Sequence, residues 1–141
     1  MYFLHGEESY FIDQVVEYAE KNILDEAERS FNQVVLYGKE TNFKQVFDQA
    51  RQFPMMATHR LVILKEAQSM KGLDQLQSYF ESPAPQTILI VAHKHKSIDK
   101  RKKKLWNAIK SSAIILETKK LYDNQIPSHI MNLAKENKLI I

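Results

Sequence analysis

Five short apolar runs, separated by amphipathic or polar stretches, restrict this chain to a small set of folds. The runs are Tyr2-Phe3-Leu4-His5, Val34-Val35-Leu36-Tyr37, Leu61-Val62-Ile63-Leu64, Thr87-Ile88-Leu89-Ile90-Val91-Ala92 and Ala113-Ile114-Ile115-Leu116. They are continuous rather than alternating, as strands are when both of their faces are covered. A helix beginning near Ser9 carries Phe11, Val15, Tyr18, Ala19 and Ile23 on one face, with Glu7 and Glu8 at its positive end. Thr41-Asn42 followed by Gln45 resembles a capping box and opens a helix bearing Phe43, Val46, Phe47 and Ala50. Leu73, Leu76 and Phe80 mark another helix, stopped by Ser82-Pro83-Ala84-Pro85, and Ile98, Lys102, Leu105 and Ile109 share one face of a basic helix. Asp123 or Asn124 caps a last helix, with Pro127 in its first turn and Ile126, Ile130, Leu133 and Ala134 inside. Asp25 to Ser30 reads as a polar break and Lys65 to Gly72 as a loop or short turn. Strand alternating with helix in this way predicts an α/β fold, a five-stranded doubly wound parallel sheet with right-handed crossovers.

Composition adds exclusions. A length of 141 residues fits one domain with a real core, and 44% hydrophobic against 26% charged residues is ordinary for a globular chain. No apolar run approaches the ~18 residues that cross a bilayer, and no leader with a cleavage site precedes the first strand, so no membrane is expected and the location reads as cytoplasmic. The chain has no cysteine, which removes disulfide frameworks, thiolate nucleophiles and most structural zinc sites. It closes on Lys138-Leu139-Ile140-Ile141, an apolar ending with nothing after it to bury it, which predicts that 1–141 is the N-terminal domain of something longer.

The net charge of +3 is unevenly placed. Residues 94 to 104 hold seven basic residues against Asp99, a local +6 that leaves the rest of the chain at −3. Lys100, Arg101, Lys103 and Lys104 in this run are candidate phosphate contacts for nucleic acid. A solvated helix face, which needs no function, accounts for the same run, and a partner's acidic surface is a further, lesser reading. Trp106 beside it reads more readily as core than as a base-stacking platform.

In such folds ligands bind beyond the carboxyl ends of the strands, so the first strand-to-helix turn is where phosphate chemistry belongs. A phosphate loop needs G-x-x-x-x-G-K-[ST], in which backbone amides and the lysine neutralise phosphates and the hydroxyl holds magnesium. Counted from Gly6, the second glycine is Phe11, the lysine is Ile12 and the hydroxyl is Asp13, while Glu7 and Glu8 repel an anion. After the third strand, where a magnesium-binding acid would stand, comes Lys65, with Glu66 one residue further. His93 and His95 have no third ligand at metal-binding spacing. No catalytic, cofactor or metal residue is therefore assigned. The architecture is that of a nucleotide-binding domain without its nucleotide machinery.

What remains is the joint Phe53-Pro54-Met55-Met56-Ala57-Thr58-His59-Arg60. Pro54 ends the preceding helix, because its ring cannot continue the ladder and it restricts the residue before it. A turn between a helix and a strand is normally polar, and this one carries two methionines. They are either core fillers under the sheet edge or a protruding plug for a partner's pocket, a use that suits methionine's flexible side chain.

The order Tyr2-Phe3-Leu4-His5-Gly6-Glu7-Glu8-Ser9-Tyr10, then Phe53 to Leu64, then Pro83 to Val91, then Asp99-Lys100-Arg101, resembles the delta subunit of the bacterial DNA polymerase III clamp loader. The resemblance runs through essentially the whole chain. It implies an N-terminal AAA+-like domain that has lost ATP binding, needs no cofactor and is not an enzyme by itself, although the family belongs to the DNA polymerase III holoenzyme. Two helical domains would follow Ile141. In this family a hydrophobic pair at a helix tip before the third strand grips and opens the ring-shaped sliding clamp. By position that pair falls on Met55 and Met56, flanked by Phe53 and Pro54, where family members often have leucine and phenylalanine. The implied partners are the sliding clamp (the beta subunit) and the other clamp-loader subunits, with DNA a further candidate. Two other readings stand beside this one: a diverged P-loop NTPase, and a nucleic-acid-binding domain acting through a Lys100–Lys104 basic helix.

Overall fold

The computed structural model describes residues 1–118, so the helix expected after Asp123 lies outside the described residues. The elements are β1 (Tyr2–Gly6), α1 (Ser9–Asn22), α2 (Glu26–Asn32), β2 (Gln33–Tyr37), α3 (Phe43–Arg51), β3 (Arg60–Lys65), α4 (Gln77–Glu81), β4 (Thr87–His93), α5 (Lys103–Ser112) and β5 (Ile114–Thr118), with short 3-10 turns at Ala67–Ser69 and Leu73–Leu76. All five strands are parallel, in the order β2-β3-β4-β1-β5. The fully buried β4 is the middle strand.

Alternate side chains of the strands feed two cores, one on each face. On one face Tyr2, Leu4, Leu61, Ile63, Ile88 and Ile90 meet Phe11, Ile12, Val15 and Ala19 of α1. On the other, Phe3, Val62, Leu64, Leu89 and Val91 meet Val46 and Ala50 of α3, Tyr79 and Phe80 of α4, and Leu105 and Ile109 of α5. Burying each such Leu, Ile or Phe contributes ~1.5–3 kcal/mol, so the continuous apolar runs are explained by two-sided coverage. Local signals also act as expected. Asn42 Oδ1 accepts the Gln45 amide at 2.9 Å, and Thr41 Oγ1 donates to Gln45 Oε1 at 2.7 Å, together closing the start of α3.

Three boundaries differ from the sequence reading. The polar break at Asp25 to Ser30 is largely helix α2, which buries only Asn32 and so has no apolar stripe to announce it. The stretch Leu73 to Phe80 is a 3-10 turn leading into α4 rather than one helix. The basic helix begins at Lys103, not at Ile98 or Lys100. Asp99 explains this last shift, because its carboxylate accepts the Arg101 amide at 3.0 Å and holds the segment in a turn. Extending α5 backwards would also stack Lys100, Arg101 and Lys102 on the positive end of its dipole. Ile98 instead plugs into the core, its amide donating to His5 Nδ1 at 3.1 Å.

His5 is buried on β1, with its ring edge-on to Phe3 and Trp106. Burial pulls its pKa down from 6.5 to about 4, outweighing the attraction of Glu117. Between these values the unfolded chain binds the proton and the folded chain does not, so stability is full above 6.5 and is lost as pH falls toward 4. Urea unfolding should show ~2 kcal/mol lost through this group between about pH 7.5 and 5. His5→Asn, whose carbonyl can still accept the Ile98 amide, should flatten that slope; an unchanged slope would remove His5 as its source.

Candidate functional site

Because the strands are parallel, all their starts lie along one edge of the sheet and all their ends along the other. The methionine joint is at the first edge, where β3 and β4 begin. Phe53 is 79% exposed, Met55 59% and Met56 98%, so the core-filler reading of the two methionines is excluded. Pro54 is half-buried between them. Met56 adopts φ 55°, a left-handed conformation that non-glycine residues seldom take.

Polar side chains hold this apolar loop from beneath. Helix α3 ends by leaving carbonyls without intrahelical partners, and buried ones must be satisfied from outside. Arg60 Nε donates to Gln49 O at 2.9 Å, Thr87 Oγ1 to Ala50 O at 2.6 Å, and Gln86 Nε2 to Arg51 O and Gln52 O at 3.4 Å. The buried Arg60 also donates through Nη1 to Phe31 O at 3.1 Å and through Nη2 to Gln49 Oε1, and its charge favours the negative end of the helix. On the other side, the buried Asn32 amide brackets one residue of the joint. Its Oδ1 accepts the Met55 N–H at 2.6 Å and its Nδ2 donates to Met55 O at 2.8 Å. Sequence reasoning missed Asn32 and its neighbour Phe31, which is 60% exposed. A lone aromatic in a polar segment was the one signal available for Phe31.

The opposite edge carries the positions where a nucleotide domain keeps phosphate and magnesium. Glu8 Oε1 accepts the Tyr10 amide at 3.1 Å, so the start of α1 already has an anion of its own. Lys94 Nζ lies 2.9 Å from Asp13 and 2.7 Å from Glu66, joining the residue that stands for the phosphate-loop hydroxyl to the acid after β3. Its hydrogen bond holds the Glu66 carboxyl below the usual range. Burial lowers the Lys94 pKa, but the two carboxylates outweigh it and the net direction is up. A cleft of about 380 Å³ adjoins this bridge, lined by Asp13, Glu17, Glu20 and Glu66 with Lys65 and Lys94. Gly6, with φ 134°, packs so tightly on β5 that a Cβ would meet Thr118 O at 2.3 Å.

The basic run is dispersed rather than gathered. Lys94 is spent on the carboxylate bridge. Lys100 pairs with Glu117 at 3.0 Å and lies over the Trp106 ring at 5.1 Å, and Arg101 pairs with Asp99 at 3.0 Å. Lys103 and Lys104 are exposed in the first turn of α5 and, among the described residues, have no ion-pair partner. Trp106 is half-buried against the core. His93 Nδ1 faces Lys96 O at 3.0 Å while His95 Nδ1 faces Ser9 Oγ at 3.0 Å, so the two histidines take separate partners.

A five-stranded parallel α/β domain in this strand order has an AAA+-like, P-loop-type architecture, and its first turn lacks the glycine-lysine-hydroxyl signature. Residues 2–119 match the family described as DNA polymerase III, delta subunit, and the chain belongs to that family. A curated relative, DNA polymerase III subunit delta of Bacillus subtilis (strain 168), is 30% identical over 151 residues, covering 100% of this chain and 43% of the relative. The chain thus spans less than half the length of that relative. Among solved structures, the Bacillus subtilis DNA clamp loader delta protein superposes with a TM-score of 0.71 at 31% identity, over 85% of this chain and 38% of that one. A DNA polymerase III gamma subunit-related protein from Thermotoga maritima, at 18% identity and TM-score 0.54 over 96% and 44% of the two chains, shares the fold. Among the described residues no helix is long and apolar enough to cross a membrane.

Arg60 gives the support of the joint a direct test. Arg60→Met keeps the aliphatic stem but leaves the carbonyls of Gln49 and Phe31 without their donor, and should destabilise the domain by ~2–4 kcal/mol in urea unfolding. A loss under about 0.5 kcal/mol, the range of ordinary surface substitutions, would show that water serves these carbonyls equally well.

Proposed function

We propose that this domain acts as a non-catalytic clamp-loader subunit in DNA replication, binding the sliding clamp and favouring its open ring through the plug Phe53-Pro54-Met55-Met56. The observation that carries the reading is the exposure of Met55 and Met56 on a loop whose backbone is pinned on both sides. Family membership and the likeness to a solved clamp loader delta protein support the choice of partner. Burying both methionines would contribute up to ~3–6 kcal/mol, of which association entropy consumes much. Two side chains alone do not grip a ring, so α3 and the exposed Phe31 at the same sheet edge would supply further contact area. Other clamp-loader subunits would bring the ATP hydrolysis.

Substituting Met55→Ala together with Met56→Ala should weaken binding of the full chain to its cognate sliding clamp by ~100-fold or more, read by titration calorimetry. An unchanged Kd would reject the plug.

The NTPase alternative is disfavoured by Glu8 at the start of α1 and by the Lys94 bridge, which take up the phosphate and magnesium positions. Titration of the chain with magnesium and ATP should give no saturable heat, and saturable magnesium-dependent binding would restore that alternative. Phosphate contact through the basic run is the weaker reading of the surface, since Lys100 and Arg101 have carboxylate partners, while Lys103 and Lys104 of the candidate set have none among the described residues.

A further inference from the structure

Asn32 is a fully buried side-chain amide at the C-terminal end of a short helix that buries nothing else. A buried amide is costly unless its donors and acceptor are engaged. Those of Asn32 are: Nδ2 donates to Glu28 O at 3.2 Å and to Met55 O at 2.8 Å, and Oδ1 accepts the Met55 N–H at 2.6 Å. The last two bonds reach the N–H and the C=O of a single residue, as a paired strand would, and so fix both dihedrals of Met55. The next residue, Met56, holds φ 55° with its side chain in water. A non-glycine residue keeps that conformation only where the surroundings impose it. The Met56 side chain is 98% exposed, so its backbone conformation is set by the chain on either side: the Met55 backbone held by Asn32 before it, and the start of β3 after it, where the Arg60 amide donates to Gln86 O at 2.9 Å.

We infer that Asn32 is a positioning residue for the plug: it holds the Met55-Met56 backbone in the partner-ready conformation before the partner arrives, without touching the partner itself. The inference rests on the reading of the joint as the clamp-binding plug. Its physical basis is that a loop populating its competent conformer only a fraction of the time binds more weakly by that fraction. Pre-ordering removes the loss. Asn32→Asp is the sharpest variant, since it keeps the shape and the acceptor for Met55 N–H but turns a carboxylate oxygen toward the carbonyls of Met55 and Glu28.

The test measures the Kd of the full chain for its cognate sliding clamp in wild type, Asn32→Asp, Met55→Ala/Met56→Ala and the triple variant, together with amide exchange at Met55 and in β3 and β4. The expected result is about tenfold weaker binding for Asn32→Asp, faster exchange at Met55 with β3 and β4 still protected, and no added effect of Asn32→Asp once both methionines are gone. Faster exchange at Met55 with an unchanged Kd, or an equal loss in the methionine-free background, would overturn the inference while leaving the plug in place. If the methionine pair itself proves dispensable, the reading beneath it fails instead, and the two failures are distinguished. Should Asn32→Asp lose protection throughout the sheet, Asn32→Ser, which retains a short acceptor and donor, takes its place with the same criteria.

Discussion

A parallel sheet forces every chain reversal to one of two edges, and this constraint organises the molecule. Parallel neighbours need crossovers, so the helices cover both faces and leave only the edges for irregular chain. The turns after β1, β3 and β4 share one edge, and the joints before β2, β3 and β4 share the other. The two regions that sequence chemistry singles out, the altered phosphate turn after β1 and the methionine joint before β3, therefore stand at opposite edges of the same sheet.

At each edge the chain answers its unpaired backbone and charge with its own side chains. The end of α3 is closed by Arg60, Gln86 and Thr87, all from the starts of β3 and β4 or just before them. The start of α1 is closed by Glu8, and Lys94 takes a bridging place between Asp13 and Glu66. Satisfied groups of this kind rigidify what they hold. The apolar joint is accordingly an ordered protrusion on a polar frame. Leaving Met55 and Met56 in water forgoes a burial term of up to ~3–6 kcal/mol, which is large beside the ~5–15 kcal/mol net stability of a typical domain. On the reading proposed above, a partner's surface supplies that burial.

Charge shows the difference between composition and arrangement. Eleven consecutive positions with a net of +6 suggest a basic helix. In three dimensions Lys94 points to Asp13 and Glu66, Lys100 to Glu117 and Arg101 to Asp99, and Asp99 holds the turn that delays α5 to Lys103. A linear count of lysines cannot see carboxylates that arrive from α1, from beyond β3 and from β5. The same blindness hid α2: its apolar stripe is missing because its one buried side chain is a polar one, Asn32, whose partner is 23 residues away.

Local patterning alone determined the class of fold, since continuous β-branched runs can be satisfied only by coverage on two faces, and short capping signals such as Asn42 with Gln45 act within a single turn. It also determined that the first turn lacks phosphate-loop chemistry, because that chemistry requires particular residues at fixed spacing. The identity of Met55 and Met56 as an unusual pair was legible for the same reason. Whether they were core or surface was not, because an apolar residue next to a proline can face either way until neighbouring elements are placed. Tertiary structure decided it through contacts remote in sequence: Asn32 fixes the Met55 backbone, Arg60, Gln86 and Thr87 fix the end of α3, and with the backbone held there the two side chains face mainly solvent.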